Sequence, residues 1–202
     1  MANISQFCVR PAHIEDEAAI SDICVRTAAS GEDARENYSR RDLPGMIWAV
    51  PYVHHNPDHC FVVDDGKGTA IGYIVTAANT RTYEAWQKTN WWPRVDAFLA
   101  EFEPQTEGDH NFLEALAQNQ KPAPDYADEY PAHLHINLLP QAQGGGFGGK
   151  LMRTALDRLR ADGVSGIHLG VNRENHRAIG FYKAMGFEQI ADDGAPIFAR
   201  TL

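Results

Sequence analysis

The stretch "HLHINLLPQAQGGGFGGKLMRTALDRLRADG", residues 133–163, restricts the fold more than any other part of the chain. Residues 133–139 alternate strictly, with His133, His135 and Asn137 on one side and Leu134, Ile136 and Leu138 on the other. That is the period of a half-buried strand, and Pro140 ends it. Five glycines then fall within residues 144–149. After them Leu151, Met152, Ala155, Leu156 and Leu159 recur on one helical face, with Arg153, Asp157, Arg158 and Arg160 off it, until Gly163. A strand, a glycine turn and a helix start in that order bring free main-chain N–H groups and the positive end of a helix dipole to one place, which suits a polyphosphate.

The loop satisfies three phosphate-binding patterns, and its surroundings choose among them. As G-x-x-x-x-G-K, on Gly144, Gly149 and Lys150, it lacks the Ser or Thr that holds magnesium in a Walker A loop, because Leu151 follows the lysine. As G-x-G-x-x-G, on Gly144, Gly146 and Gly149, it needs a carboxylate at the end of the next strand and several more parallel strands. The next strand, "GIHLGV", ends without one, and little chain remains. The third pattern is Q-x-x-G-x-G, on Gln143, Gly146 and Gly148, the shape of an acyl-coenzyme A loop.

Elsewhere "FCVRPA" (7–12) predicts a strand and "HIEDEAAISDICVRTA" (13–28) a helix stopped by Gly31. An irregular polar stretch is expected to about Pro57, followed by a hairpin across Asp65-Gly66. Residues 79–131 hold 4 basic and 10 acidic side chains and a crowd of aromatics. Helices are expected there at about 94–103 and 111–119, the second opened by Asn111 and Glu114, and "KPAPDYADEYP" reads as a connector. Fifty residues are few for an independent core, so the expectation is one domain, 1–202, carrying an insertion at about 79–131. The helix "NHRAIGFYKAM" and the strands "FEQI" and "PIFAR" complete the chain.

The loop and "N-x-x-A-x-x-F-Y-x-x-x-G-F" (Asn175, Ala178, Phe181, Tyr182, Gly186, Phe187), some thirty residues later, together resemble the GNAT superfamily of acetyl-CoA-dependent N-acetyltransferases. "VRPAHIEDEAAISDI" is similar to its opening strand and helix, and the resemblance covers 7–78 and 132–202. More narrowly, "YPAHLHINLLP" with the aromatic insertion resembles the acetyltransferase-like domain of bifunctional O-GlcNAc hydrolases and its free-standing bacterial relatives. The resemblance implies an α/β fold: a mixed, mostly antiparallel sheet splayed at the cofactor strand, with helices on both faces. It implies transfer of an acetyl group from acetyl-CoA to an amine by direct attack on the thioester. The alternative is a non-catalytic module of the same fold that binds acetyl-CoA or a protein.

Carried onto this chain, cofactor binding falls to Leu138, Leu139, Gln143, Gly144, Gly145, Gly146, Phe147, Gly148, Gly149, Lys150, Asn175 and Arg177. Gln143 stands where the family more often has arginine, and Lys150, Arg153 or Arg177 is expected to supply the missing charge. Tyr182 aligns with the family's general acid. His133 and His135 lie near its usual base region, with His135 favoured. Asn175 is equally a helix N-cap.

The remaining expectations are exclusions. Residues 1–139 hold 10 basic and 21 acidic side chains and residues 140–202 hold 8 and 6, so a general nucleic-acid surface is not expected. No apolar run is long enough to span a membrane, and the first residues lack the pattern of a leader, which predicts a cytoplasmic protein with no membrane partner. "HHNPDHC" (54–60) fits no closed zinc pattern, and three cysteines suggest no disulfide framework, so no metal is expected. The expected partner is a small-molecule or peptide amine acceptor, with room for a homodimer.

Overall fold

The computed structural model describes residues 4–192 and 194–202. Seven strands form one sheet: β1 (Cys8–Pro11), β2 (Cys60–Asp64), β3 (Ala70–Ala77), β4 (Ala132–Leu138), β5 (Gly166–Gly170), β6 (Glu188–Asp192) and β7 (Pro196–Thr201). Their order is β1-β2-β3-β4-β5-β7-β6, antiparallel throughout except for β4 and β5. The β2–β3 turn is the expected hairpin; Asp64 accepts from the amides of Gly66 and Gly68, and Arg10 bridges Asp64 and Asp16 at 2.8 and 2.7 Å.

The alternation of β4 sorts the helices. Tyr52 of α3 (Val50–His55) meets His133 and His135, while α1 (Glu17–Val25) sets Cys24 against Tyr73, the partner of Asn137 across β3 and β4. Both helices therefore cover the histidine face. The crossover helix α8 (Phe147–Ala161) and the later α9 (His176–Ala184) cover the leucine face: Phe181 and Leu138 both close on Gly148. Right-handed crossovers are the rule between parallel strands, and two that advance in one direction place both helices on one side of the sheet.

The stretch read as irregular is so up to residue 42, but helical over most of residues 43–55. The helices α2 (Leu43–Trp48) and α3 begin at Pro44 and Pro51, where proline is preorganised for a first turn, and Leu43, Ile47, Val50, Tyr52 and Val53 are buried. The insertion is also more helical than expected. It runs through α4 (Thr80–Trp86), capped by Asn79, a π turn (Gln87–Trp91), α5 (Trp92–Leu99), α6 (Glu107–Asn119) and α7 (Tyr126–Glu129). The cap of α6 is Thr106 with Asp109, not Asn111 with Glu114. Trp91, Trp92, Val95, Phe112 and Leu116 pack with Leu43 and Ile47 of α2 and Val50 of α3 in a second core. The insertion thus shares its apolar interior with the body.

Candidate active site

The sheet parts at one place. Of the seven residues of β4 only Ala132 and His133 pair with β5, opposite Ile167 and His168. From Leu134 onward the two parallel strands leave a gap. The amide of Leu139 donates to Ile71 on β3 at 3.0 Å, so by strand alternation the N–H and C=O of Leu138 face the gap. Gln143 Nε2 donates to that carbonyl at 2.9 Å, which spends its side-chain amide on holding the loop.

Gly144 and Gly146 adopt φ of +77° and +76°, and a Cβ at either would meet nothing within 4 Å. Backbone conformation and open space, not crowding by protein, therefore ask for glycine there. Gly146 caps α8, and Lys150 is the first residue whose amide returns to it, at 3.0 Å. The amides of Phe147, Gly148 and Gly149 are left without helical partners. The Phe147 ring is buried against Phe7 and anchors the turn from below.

These amides open on a cleft of about 520 Å³ that runs on to Leu138 and the gap. Gln143, Gly144, Gly146, Gly148 and Gly149 line it from the loop, and Asn175, Arg177 and Tyr182 from α9 and its approach. Leu139, Gly145 and Lys150 do not line it. The Leu139 amide is used in the sheet, and Lys150 places its ammonium over the Phe147 ring at 4.8 Å. Asn175 Oδ1 accepts from Ala178 N at 3.0 Å and so caps α9, while its NH2 has no partner among the described residues. Sequence reasoning missed Thr27, Ser30, Gly31 and Glu32, which line the far wall, and Asn137, whose amide donates to Tyr73 Oη at 2.7 Å. For the first four the only sequence signal was the Ser-Gly turn, and for Asn137 its place on the polar face of the strand; Ser30 has φ +54°, uncommon for a residue with a side chain.

The two histidines differ. Thr80 Oγ1 donates to Pro131 O at 2.8 Å and lies 2.7 Å from His133 Nδ1, which must then be the protonated nitrogen. His133 Nε2 accepts from Tyr52 Oη at 2.7 Å. Both nitrogens are thus engaged, and burial with neighbouring His168 holds the ring well below the ordinary histidine range. His135 has no hydrogen bond among the described residues, and burial pushes it down to about 4. Tyr182 is buried with its hydroxyl unpaired among the described residues, and burial pushes it up to about 12.

His54 and His59 diverge, pairing with Glu17 at 2.8 Å and Asp162 at 2.7 Å. Among the described residues no three His, Cys, Asp or Glu side chains gather to hold a metal, and no helix is long and apolar enough to cross a membrane. Cys8, Cys24 and Cys60 are free thiols.

A mixed sheet parted beside a phosphate-type glycine loop, with a buried tyrosine across the cleft, defines the class of acyl-CoA acetyltransferase folds. The chain belongs to the acetyltransferase (GNAT) family, whose model matches residues 25–187. It is 36% identical to SsHAT, with a TM-score of 0.86 over 96% of this chain and 98% of that one. It matches protein O-GlcNAcase of Rattus norvegicus at 23% identity over 92% of its own length, spanning 20% of that relative. The structure of yncA from Salmonella typhimurium, a protein described as an acetyltransferase with its cofactor acetyl-CoA, shares the fold at 15% identity and TM-score 0.59, over 98% of this chain and 94% of that one.

Proposed function

We propose that this chain is an acetyl-CoA-dependent N-acetyltransferase acting on an amine. The observation that carries the proposal is the run of unpaired amides at the α8 start, opening on a cleft that leads to the parted strands. The residues present fit the donor. The Gly144–Gly149 turn offers N–H groups and unobstructed backbone to the pyrophosphate, and Arg177 adds positive charge at the wall. The Asn175 amide steadies the pantetheine arm while its oxygen caps α9. Leu138 N–H faces the thioester carbonyl and stabilises the oxygen that gains charge on attack.

Bond accounting assigns the remaining roles. The amine nitrogen bonds to the acetyl carbon, the carbon–sulfur bond breaks, and the nitrogen sheds one proton while the sulfur regains one. His135, unpaired beside the gap, accepts the nitrogen's proton directly or through water and passes it to solvent. A thiol near 8.5 is a far stronger acid than Tyr182 at about 12, so full transfer from the tyrosine runs uphill by about 5 kcal/mol. Tyr182 accordingly donates a hydrogen bond to the departing sulfur and keeps its own proton, and solvent protonates the thiolate. His133, bonded at both nitrogens, orients the wall of the gap.

A second reading has an observation of its own: with His133 engaged and His135 a weak base, the chain suits a module that binds acetyl-CoA without turnover. Thiol release from acetyl-CoA over a broad amine panel tests the difference. The transferase reading expects release with at least one amine class; binding with no release from any of them supports the module.

A further inference from the structure

Apart from the cofactor's own contacts, the groups around the gap are uncharged. From β4, His135 and Asn137 point to the acceptor side, opposite Val75 and Tyr73 of β3, with Tyr52 of α3 above them. The tyrosines Tyr52, Tyr73 and Tyr182 are held protonated, because burial raises all three. The histidines His133, His135 and His168 are held neutral, because burial lowers all three. Among the described residues the buried carboxylates are Asp16, Asp64 and Asp109. All are committed elsewhere, the first two to Arg10 and the third to the amides of Ser39, Gln105 and Thr106. The cleft's other charged or titratable side chains, Glu32, Glu174, His176 and Arg177, are exposed on its rim, where a carboxylate steers cations without taking their protons. No buried carboxylate therefore stands ready to strip an ammonium at the reacting centre.

Resting on the transferase reading above, we propose that the gap selects primary amines of low basicity, such as a peptide α-amine or the amine of an amino sugar, over lysine side chains and polyamines. Such an amine arrives largely uncharged, attacks as the free base, and loses its second proton only after the nitrogen–carbon bond has formed. At that point the nitrogen is acidic enough for a weak imidazole to accept the proton. A lysine near 10.4 is neutral in about 1 molecule in 2,500 at pH 7, and an α-amine near 7.8 in about 1 in 7, a ratio of about 300. An enzyme with a strong buried base erases that ratio; a neutral gap passes much of it on to the rate. Greater intrinsic nucleophilicity returns part of it to lysine.

The test compares kcat/KM for thiol release between pH 6 and 10 with four acceptors: a lysine-free peptide with an open N-terminus, the same peptide Nα-acetylated with one lysine added, glucosamine, and spermidine. The expected result at pH 7 is at least a 10-fold preference for the open N-terminus or glucosamine over both alkylamines. Comparing the first and third arms separates peptide from sugar. The preference should shrink steadily as the pH approaches 10. Equal or faster turnover of lysine or spermidine at pH 7, or a lysine profile that levels off well below pH 10, would overturn the inference while leaving the transferase reading intact. A thermal shift with acetyl-CoA but no thiol release from any arm would overturn both, and absence of the shift would overturn cofactor binding itself.

Discussion

Tyr182 and His135 have the same standing in the structure: each is a polar side chain at the cleft or gap with no hydrogen-bond partner among the described residues. Replacing Tyr182 by Phe removes only the hydroxyl from an otherwise apolar site, so turnover should fall by about 100-fold with acetyl-CoA affinity unchanged within about 3-fold. Parallel calorimetry and steady-state kinetics read both quantities, and equal losses in both would make the ring a packing element. His133 makes a contrasting prediction. Its removal leaves the buried Tyr52 hydroxyl without an acceptor, so His133→Ala should cost about 2–3 kcal/mol in urea melts. His135→Gln should instead cost little stability and slow turnover by 10-fold or more. The alternation of β4 placed both histidines on one face, but it carried no information on which was engaged. That depended on Tyr52 and Thr80, which lie 81 and 53 residues from His133 in sequence.

Among the elements, the legible ones were those that declare themselves locally. The strand at 133–139, the glycine turn and the helix to Gly163 were readable because period, proline stop and glycine stop agree along one continuous segment. The helices α2 and α3 were not, because their apolar residues face two different cores and the prolines that open them look like breakers. The start of α6 was misplaced for a related reason. Asp109 serves two purposes, closing the Thr106 capping box and accepting from Ser39 N at 2.9 Å, and the second partner lies 70 residues away. Held in this network, the Asp109 carboxyl is lowered to about 2. A carboxyl depressed in the folded state stabilises above its unfolded value near 3.9, and that stability is lost as pH falls through the folded value. Asp109→Asn should therefore cost about 2 kcal/mol at pH 7, with the gap to the parent closing between about pH 4 and pH 2 in acid titrations. The loop has its own prediction. Gly146→Ala imposes a Cβ on left-handed backbone, worth about 1–2 kcal/mol, and should weaken acetyl-CoA binding as the turn relaxes away from φ +76°.

At the scale of the whole molecule, one sheet carries two cores, and the division between them matters for function. The main core takes residues from α1 and α3 on one face and from α8 on the other, where it fixes the loop, whereas the α2, α5 and α6 cluster packs behind α3, which contributes Val50 to it. The fold class was legible because its cofactor half is nearly contiguous in sequence. The half opposite, where the proposed acceptor would enter, was not, because it is assembled from the turn after α1, from α3 and from β4. Binding should couple these parts: at 100 times its dissociation constant acetyl-CoA adds about 2.7 kcal/mol, raising the melting temperature by roughly 5–11 °C for a chain of this size. The most direct measurement of the central claim is a backbone amide NMR titration with acetyl-CoA. The account predicts that the largest shifts fall on Leu138 and on the amides between Gln143 and Lys150, saturating with the same affinity as the thermal response. Saturable binding that leaves those amides unmoved, with shifts gathered elsewhere on the sheet, would contradict it.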